Sequence, residues 1–240
     1  MAFKEFALSE SQYVTIYKRR SSRSLRLSVT STGKIRVTIP LWASYHAGLE
    51  FARSKQTWIN THQQVATLLQ NGQAIGKAHH LRFIARDNLS KAISRVSPSE
   101  VTINYPDTLN EKHVSVQKIA QTACIRALRA QADQLLPQRL ESLAARHNLT
   151  YGDVSVRQLK SRWGSCDQNG DIVLNIFLLQ LPWDLIDYVL LHELTHTQIL
   201  RHGSDFWQAL EGLLPSAKSY RKAIRQYQPA FNSPVPRSMA

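Results

Sequence analysis

The 240-residue sequence is poor in cysteine and methionine and has no long apolar run. Two cysteines, Cys124 and Cys166, do not make a disulfide framework, and a cysteine zinc site would need partners that the sequence lacks. No uninterrupted apolar stretch is as long as the roughly 18 residues that a membrane-spanning helix needs. The amino terminus has no secretory-signal pattern. We therefore expect a cytoplasmic protein with no membrane partner, in which Cys166 has a packing role.

Acidic residues are also scarce, since 17 Asp and Glu stand against 30 Lys and Arg and give a net charge of +13. The excess is uneven: residues 1–40 contain eight basic and two acidic residues, whereas residues 150–215 contain four basic and eight acidic ones. A basic amino-terminal face suits a weak contact with nucleic acid, and it equally suits a solvated surface without a dedicated partner. The residues concerned are Lys18, Arg19, Arg20, Arg23, Arg26, Lys34 and Arg36.

Hydrophobic periodicity predicts an α+β fold with a β-rich amino-terminal half. Alternating apolar residues in the first forty positions favour a hairpin that ends at Pro40. Further segments follow: a helical region at 44–70, strands at 81–85 and 101–105, a helical region at 113–147, and strands near 154–159 and 172–175. Pro137 is expected to start a new helix or to kink the existing one. At 43% hydrophobic residues, the chain has enough apolar material for one or two domains.

The most specific pattern reads His-Glu-Leu-Thr-His from residue 192 to residue 196. Helical residues four apart lie on one face, so His192 and His196 can offer two imidazoles to one metal ion. Glu193 lies at the edge of that face, where a carboxylate can hold a water rather than ligate the metal. This is the HExxH arrangement of zinc metalloproteases. The alternative, two ordinary helical histidines beside a glutamate, explains neither the buried apolar flank nor a third nearby histidine.

His202 is the best candidate for a third metal ligand. On a continued helix, His202 would lie about 240° around and roughly 9 Å along from His196, facing away from the shared metal. The helix must therefore end, and Gly203 is predicted to stop it in a left-handed conformation, with Ser204 capping the next helix. Asp205 and Glu211 remain alternative third ligands.

The spacing equals that of the metzincins, HExxHxxGxxH, but two features depart from that group. Ile199 stands where the metzincins have glycine. The two methionines, Met1 and Met239, lie at the ends of the chain and supply no Met-turn.

A wider set of motifs resembles one known family. The set comprises Arg-Trp-Gly-Ser-Cys at 162–166, the strand at 172–175, Pro182, Tyr-Val at 188–189, the 192–196 motif, and His202 with Phe-Trp at 206–207. In order and spacing it resembles the YgjP-like metallopeptidases, which are related to the SprT-like and WLM zinc peptidases. Segments 37–40 and 58–59 are also similar, so the resemblance covers roughly residues 12–227.

This resemblance implies a small gluzincin-like (zincin) catalytic core with an HExxH helix. Its zinc ion would be held by His192, His196 and His202, and Glu193 would be the catalytic base that activates a zinc-bound water for peptide hydrolysis. The expected substrate is a peptide or protein. The segment 162–175 is predicted to be a hairpin that binds extended substrate along an edge strand, and Trp163 is predicted to belong to the core.

Two other activities stay open from the sequence: a metal-dependent nucleotide pyrophosphatase that uses the same site, and a nucleic-acid-associated protease of the SprT-like kind. The expected organisation is a β-rich region with one helix at 1–110, a zincin-like metallopeptidase domain at 111–228 and a flexible tail at 229–240. Bond preference, oligomeric state and the group that stabilises the oxyanion are not encoded in recognisable motifs, and Tyr220 is interpreted as a packed tyrosine.

Overall fold

The structure, a computed structural model, describes residues 3–9, 12–29, 34–62, 68–229 and 231. Its contacts divide the chain into two compact units, Met1–Thr67 and Leu68–Ala240. We call them the amino-terminal unit and the carboxyl-terminal unit. Within the described ranges, none of the helices combines the length and apolar character that crossing a membrane requires.

The amino-terminal unit is a four-stranded sheet with two helices. The strands are β1 (Phe3–Ser9), β2 (Gln12–Lys18), β3 (Arg26–Val29) and β4 (Ile35–Ile39), and the helices are α1 (Tyr45–Ser54) and α2 (Gln56–His62). The sheet order is β1-β2-β4-β3, with β2 and β4 parallel and the other neighbours antiparallel. The predicted hairpin corresponds to β3 and β4, and its turn at 31–33 lies outside the described residues.

Alternation along the central strands places one face of this sheet in a core. Val14, Ile16, Ile35, Val37 and Ile39 are all buried, because every second residue of a strand points to the same side. Helix α1 packs on this inner face. The backbones approach closely at Gly48, where an added Cβ would lie 3.0 Å from the Cγ2 atom of Ile16.

The carboxyl-terminal unit begins with a second four-stranded sheet. Its strands are β5 (Ala74–Ile75), β6 (His79–Arg86), β7 (Ile93–Val96) and β8 (Glu100–Pro106), in the order β5-β6-β8-β7. Helix α3 (Val114–His147) packs against this sheet. It ends at Asn148, which adopts a left-handed conformation with φ of 53°. Pro137 lies inside this single 34-residue helix and does not start a new one.

A three-stranded sheet, a 3₁₀ helix and three further α-helices complete the unit. The strands are β9 (Val154–Arg157), β10 (Gly164–Cys166) and β11 (Ile172–Asn175), followed by a 3₁₀ helix (Ile176–Gln180), α4 (Trp183–His196), α5 (Ser204–Leu213) and α6 (Ala217–Ile224). The sheet order is β10-β11-β9. Strands β10 and β11 form the predicted antiparallel hairpin, and β10 lies at the edge of the sheet.

The predicted mixed α+β architecture, with a β-rich amino-terminal half and helices later in the chain, is confirmed. The division by contacts falls at residue 67, whereas the sequence placed a boundary at 110. The sheet of β5 to β8 shares one hydrophobic core with α3 and the later helices, so it groups with the carboxyl-terminal unit. The predicted flexible tail lies outside the described residues except for positions 229 and 231.

Candidate metal centre

Helix α4 carries the first two histidines on a rigid support. Its N-cap is Pro182, and ten of its fourteen residues are buried, which fixes the helix on most of its circumference. His192 and His196 lie one turn apart, with ring centroids 4.9 Å from each other. The sequence prediction of one shared helical face is therefore realised in the structure.

The chain reverses after His196 and brings His202 back to the same place. The Nε2 atom of His202 lies 3.0 Å from Nε2 of His192 and 3.1 Å from Nε2 of His196. All three histidines offer ligand atoms within 4.8 Å of one another. Helix α4 thus ends where the ligand geometry required it to end.

The helix does not end in the way that the sequence predicted. Gly203 has φ of −86° and ψ of −171°, which is extended backbone rather than a left-handed stop. Thr197, in right-handed helical conformation, is the C-cap of α4. Gly203 is instead the N-cap of α5, which begins at Ser204, so the predicted capping role of Ser204 is also wrong.

Aromatic rings of α5 pack against the three histidines. Phe206 is fully buried, and its ring centroid lies 4.9, 4.5 and 4.8 Å from those of His192, His196 and His202. Trp207 stacks on His202 at 5.6 Å, and the guanidinium of Arg221 lies 3.8 Å from the Trp207 ring centroid. These contacts fix the exposed His202 ring, which no regular element holds.

The polar surroundings of the histidines favour metal binding. Nδ1 of His196 donates to the carbonyl oxygen of Ile199 at 3.0 Å when its proton is on that nitrogen, and this tautomer leaves the Nε2 lone pair directed at the other two rings. Burial lowers the pKa of His196. Burial, assisted by the neighbouring imidazoles, lowers the pKa of His192 to about 3. The lowered pKa values favour the neutral form of both imidazoles, which is the form that binds a metal ion.

The distances from Nε2 of His202 to the other two Nε2 atoms are compatible with a shared zinc ion. Nitrogen ligands of a tetrahedral zinc ion at about 2.0–2.1 Å lie about 3.4 Å apart, close to the observed 3.0 and 3.1 Å. Within the described part of the chain, the buried Nδ1 of His192 has no hydrogen-bond partner. Packing therefore orients this ring, through Phe206 and through Tyr188 at a centroid distance of 6.1 Å.

Glu193 lies beside the histidine cluster, under strand β10. Its side chain is 5% exposed. Burial raises the pKa of Glu193 to about 8, and the positive charge of Arg162 opposes part of that rise. Gly164 lies directly against the carboxylate, because an added Cβ would be 2.7 Å from Oε1 of Glu193. Only a residue without a side chain lets the edge strand approach this carboxylate so closely.

A cavity of about 250 Å³ opens next to His192 and Glu193. Trp163, Val189 and Ile224 supply apolar walls, and Arg162 supplies a positive charge. The prediction that Trp163 belongs to the core is true only in part, because its half-buried ring packs against the core and also lines this cavity.

The other residues that the sequence analysis considered for the site lie outside the cluster of three histidines. Glu211 pairs with Lys218 at 3.3 Å, and Asp205 accepts a hydrogen bond from the Ser204 hydroxyl at 3.0 Å. Among the described residues, the cluster that offers three ligand atoms contains neither of these carboxylates. Cys166 is half-buried against the core, and burial raises its pKa to about 11. Tyr220 packs near Tyr188, with ring centroids 6.4 Å apart.

Sequence reasoning gave no individual role at the site to four residues: Gly164, Phe206, Arg221 and Ile224. Sequence patterns could not predict the contact of Gly164 with Glu193, because the two residues are 29 positions apart and belong to different elements. Arg221 and Ile224 come from α6, which carries no recognisable motif. A signal for Phe206 did exist, since an aromatic pair at 206–207 follows the third histidine at helical distance.

Comparison with known proteins adds two findings. A family model described as "YgjP-like, metallopeptidase domain" matches residues 23–227. The chain is also similar to the metallopeptidase zymogen abylysin of Pyrococcus abyssi, at 27% identity over 38% of this chain and 91% of that one, with a TM-score of 0.35. No curated protein matches the sequence significantly.

Proposed function

Since the chain belongs to the YgjP-like metallopeptidase family, we propose that it is a zinc-dependent peptidase with one metal centre. His192, His196 and His202 hold the metal, and Glu193 is the catalytic base. The observation that carries this proposal is the convergence of three imidazole Nε2 atoms beside a buried glutamate. Three protein ligands leave one position open, which is the pattern of a catalytic rather than a structural zinc site.

Zinc fits the donor set because neutral imidazoles are ligands that it prefers. When bound, the ion supplies Lewis acidity to the oxygen atoms that it contacts. The protein contributes the ring orientations, which the Ile199 carbonyl and the Phe206 and Trp207 rings hold fixed.

Glu193 performs the proton transfers of hydrolysis. Its carboxylate accepts a proton from the attacking water and returns it to the nitrogen of the scissile peptide, so one group serves as base and then as acid. Burial makes Glu193 a stronger base than an exposed carboxylate. Gly164 limits the positions that the carboxylate can occupy.

Extended substrate binds along β10. Strand β10 pairs with β11 on one side, and within the described sheet no strand pairs with its other side. Backbone groups on that side can hydrogen-bond a peptide that adds to the sheet. The adjacent cavity, with the Trp163 and Val189 side chains in its wall, accepts an apolar substrate side chain.

The proposal is tested by assaying one preparation of the full chain, with its metal content measured, on two substrates. A denatured protein and a nucleoside triphosphate mixture are incubated separately with the enzyme as purified, after chelation, and after zinc is restored. We expect peptide-bond cleavage that chelation abolishes and zinc restores. Nucleotide turnover without peptide cleavage would instead assign the site to a pyrophosphatase.

A further inference from the structure

The sheet of the amino-terminal unit has a second face, opposite the core. We call it the outer face. Strand pairing places its residues: Phe3 lies opposite Tyr17, Ala7 opposite Tyr13, and Arg36 opposite both Thr15 and Ser28. Its members are Phe3, Glu5, Ala7, Tyr13, Thr15, Tyr17, Arg26, Ser28, Arg36 and Thr38. Neither the metal centre nor its proposed function uses this face.

Aromatic rings occupy the β1–β2 half of the outer face. Phe3 is 60% exposed and Tyr13 is 61% exposed, so both residues are largely open to solvent. The centroids of Phe3 and Tyr17 are 5.5 Å apart, and the guanidinium of Arg36 lies 5.5 Å from the Tyr17 centroid. The exposed Phe3 and Tyr13 rings, together with the half-buried Tyr17 ring, offer flat surfaces on which other rings can stack.

Positive charge occupies the β4–β3 half and the adjoining loop. Arg26 and Arg36 are exposed on the strands, and Arg19, Arg20 and Arg23 are exposed on the loop between β2 and β3. Among described residues, none of these five arginines takes part in a salt bridge, and Glu5 is the one acidic side chain on the outer face. Residues 1–67 contain ten Lys or Arg, three Glu and no Asp.

We infer that the outer face binds single-stranded nucleic acid. The arginines contact the phosphates, and unpaired bases stack on Phe3, Tyr13 and Tyr17, because stacking rings beside basic side chains are the elements of single-strand recognition. A duplex does not fit, since its bases are stacked on one another. The four strands also span about 14 Å, more than the about 12 Å width of a major groove.

The test measures binding of the full chain to fluorescein-labelled 20-residue oligo(dT) and oligo(U) by fluorescence anisotropy. The two oligonucleotides distinguish DNA from RNA. Three to five phosphate contacts predict a slope of log affinity against log salt of about −2 to −3.5. An unlabelled duplex of equal length should compete at least about tenfold more weakly than the single strand. Glu193→Gln should bind normally, since the inference does not depend on catalysis.

Matched variants distinguish binding by the outer face from binding that depends only on the overall basic charge. Arg36→Ser should reduce the magnitude of the salt slope by about 0.7, whereas Lys55→Ser removes an equal charge after α1, on the inner side of the sheet, and should change the slope little. Phe3→Ala and Tyr13→Ala should each weaken binding about fivefold or more. Tyr13→Phe keeps the ring and should restore most of the affinity.

Three results would overturn the inference once circular dichroism shows that the variants are folded. The first is equal losses for Arg36→Ser and Lys55→Ser. The second is salt-dependent binding that the aromatic variants leave unchanged, since charge alone would then explain it. The third is a preference for another ligand: duplex bound as tightly as single strands, or anionic phosphatidylserine vesicles bound with no measurable oligonucleotide affinity.

Discussion

The two units of the molecule bury different kinds of side chain. The described core of the amino-terminal unit is apolar, as Val14, Ile16 and Val37 illustrate. Among the described residues, every buried His, Gln, Asn, Glu and Thr side chain belongs to the carboxyl-terminal unit: His79, Gln131, Asn175, Glu193, Thr195 and His196. Burying such groups costs free energy unless they find partners, so each of them needs either a structural partner or a functional role.

Within the carboxyl-terminal unit, these buried groups divide into two kinds. Gln131 donates to the Ile75 carbonyl at 2.9 Å and accepts from the Lys77 backbone N–H at 2.7 Å. The side chain of Asn175 forms hydrogen bonds with backbone groups both earlier and later in the chain. Residues of this kind tie loops to strands. Glu193 and His196 instead lie together at the candidate metal centre. Ionisable groups held in a buried cluster are typical of catalytic sites.

The largest effect is expected from Glu193→Gln. Glutamine keeps the size of the side chain but cannot accept a proton, so hydrolysis should fall at least about a hundredfold. Zinc content should stay unchanged, because Glu193 is proposed to be a base rather than a ligand. Turnover and zinc are measured on one preparation. Near-normal turnover would eliminate the proposed base, and loss of zinc would make Glu193 a ligand.

A smaller catalytic effect is expected from Gly164→Ala. The added Cβ would lie 2.7 Å from Oε1 of Glu193, so the carboxylate must move, and misplacement of a catalytic group by about 1 Å lowers the rate by up to about a hundredfold. We expect kcat to fall about tenfold or more while zinc stays bound. Gly212→Ala is the control, because nothing lies within 4 Å of its added Cβ. Equal kcat values for the two variants would show that Gly164 does not influence the position of the catalytic carboxylate.

Asn175→Ala tests whether a buried polar side chain outside the candidate metal centre stabilises the fold. Its amide donates to the carbonyl oxygens of Leu159 at 3.0 Å and Arg162 at 2.8 Å, and removal leaves these groups without partners. The free energy of unfolding, measured by urea titration, should fall by about 1–3 kcal/mol. Asn169→Ala, in the exposed turn, is the control. Equal stabilities would show that Asn175 is dispensable for the fold.

The smallest effect is expected in the amino-terminal unit. Ile16→Val removes one methylene from its apolar core and should lower the free energy of unfolding by about 0.5–1.5 kcal/mol. Zinc content and kcat should not change, because every proposed ligand and the proposed base lie in the carboxyl-terminal unit. A loss of bound zinc in this variant would contradict that separation.

The sequence predicts features within one helix or strand better than contacts between elements that are far apart in the chain. Helical spacing indicated the shared face of His192 and His196, and geometry alone required the chain to reverse before His202. Strand β11 was predicted at its observed bounds because its apolar run is flanked by a turn-rich segment. Strands β1, β2, β5 and β7 were missed. Strands β1, β5 and β7 lie at sheet edges, whereas β2 is a central strand whose outer face also carries aromatic residues, which weakens its apolar alternation.

The remaining differences come from tertiary contacts. Helix α4 ends at Thr197, in right-handed conformation, rather than at a left-handed glycine, and Phe206 of α5 packs against His196. The contact between Gly164 and Glu193, and the stacking of Arg221 on Trp207, join elements that are far apart in the chain. Periodicity and motif spacing describe one element at a time, so they cannot reveal such contacts.

The most direct test of the central claim is the zinc content of His202→Ala compared with that of Glu211→Ala, determined by elemental analysis of the purified full chain. The three-histidine centre predicts about one zinc per chain in the wild type and in Glu211→Ala, because Glu211 pairs with Lys218. His202→Ala should lose most of its zinc, as His196→Ala should. Full zinc in His202→Ala together with its loss in Glu211→Ala would contradict the account and assign the third ligand to the glutamate.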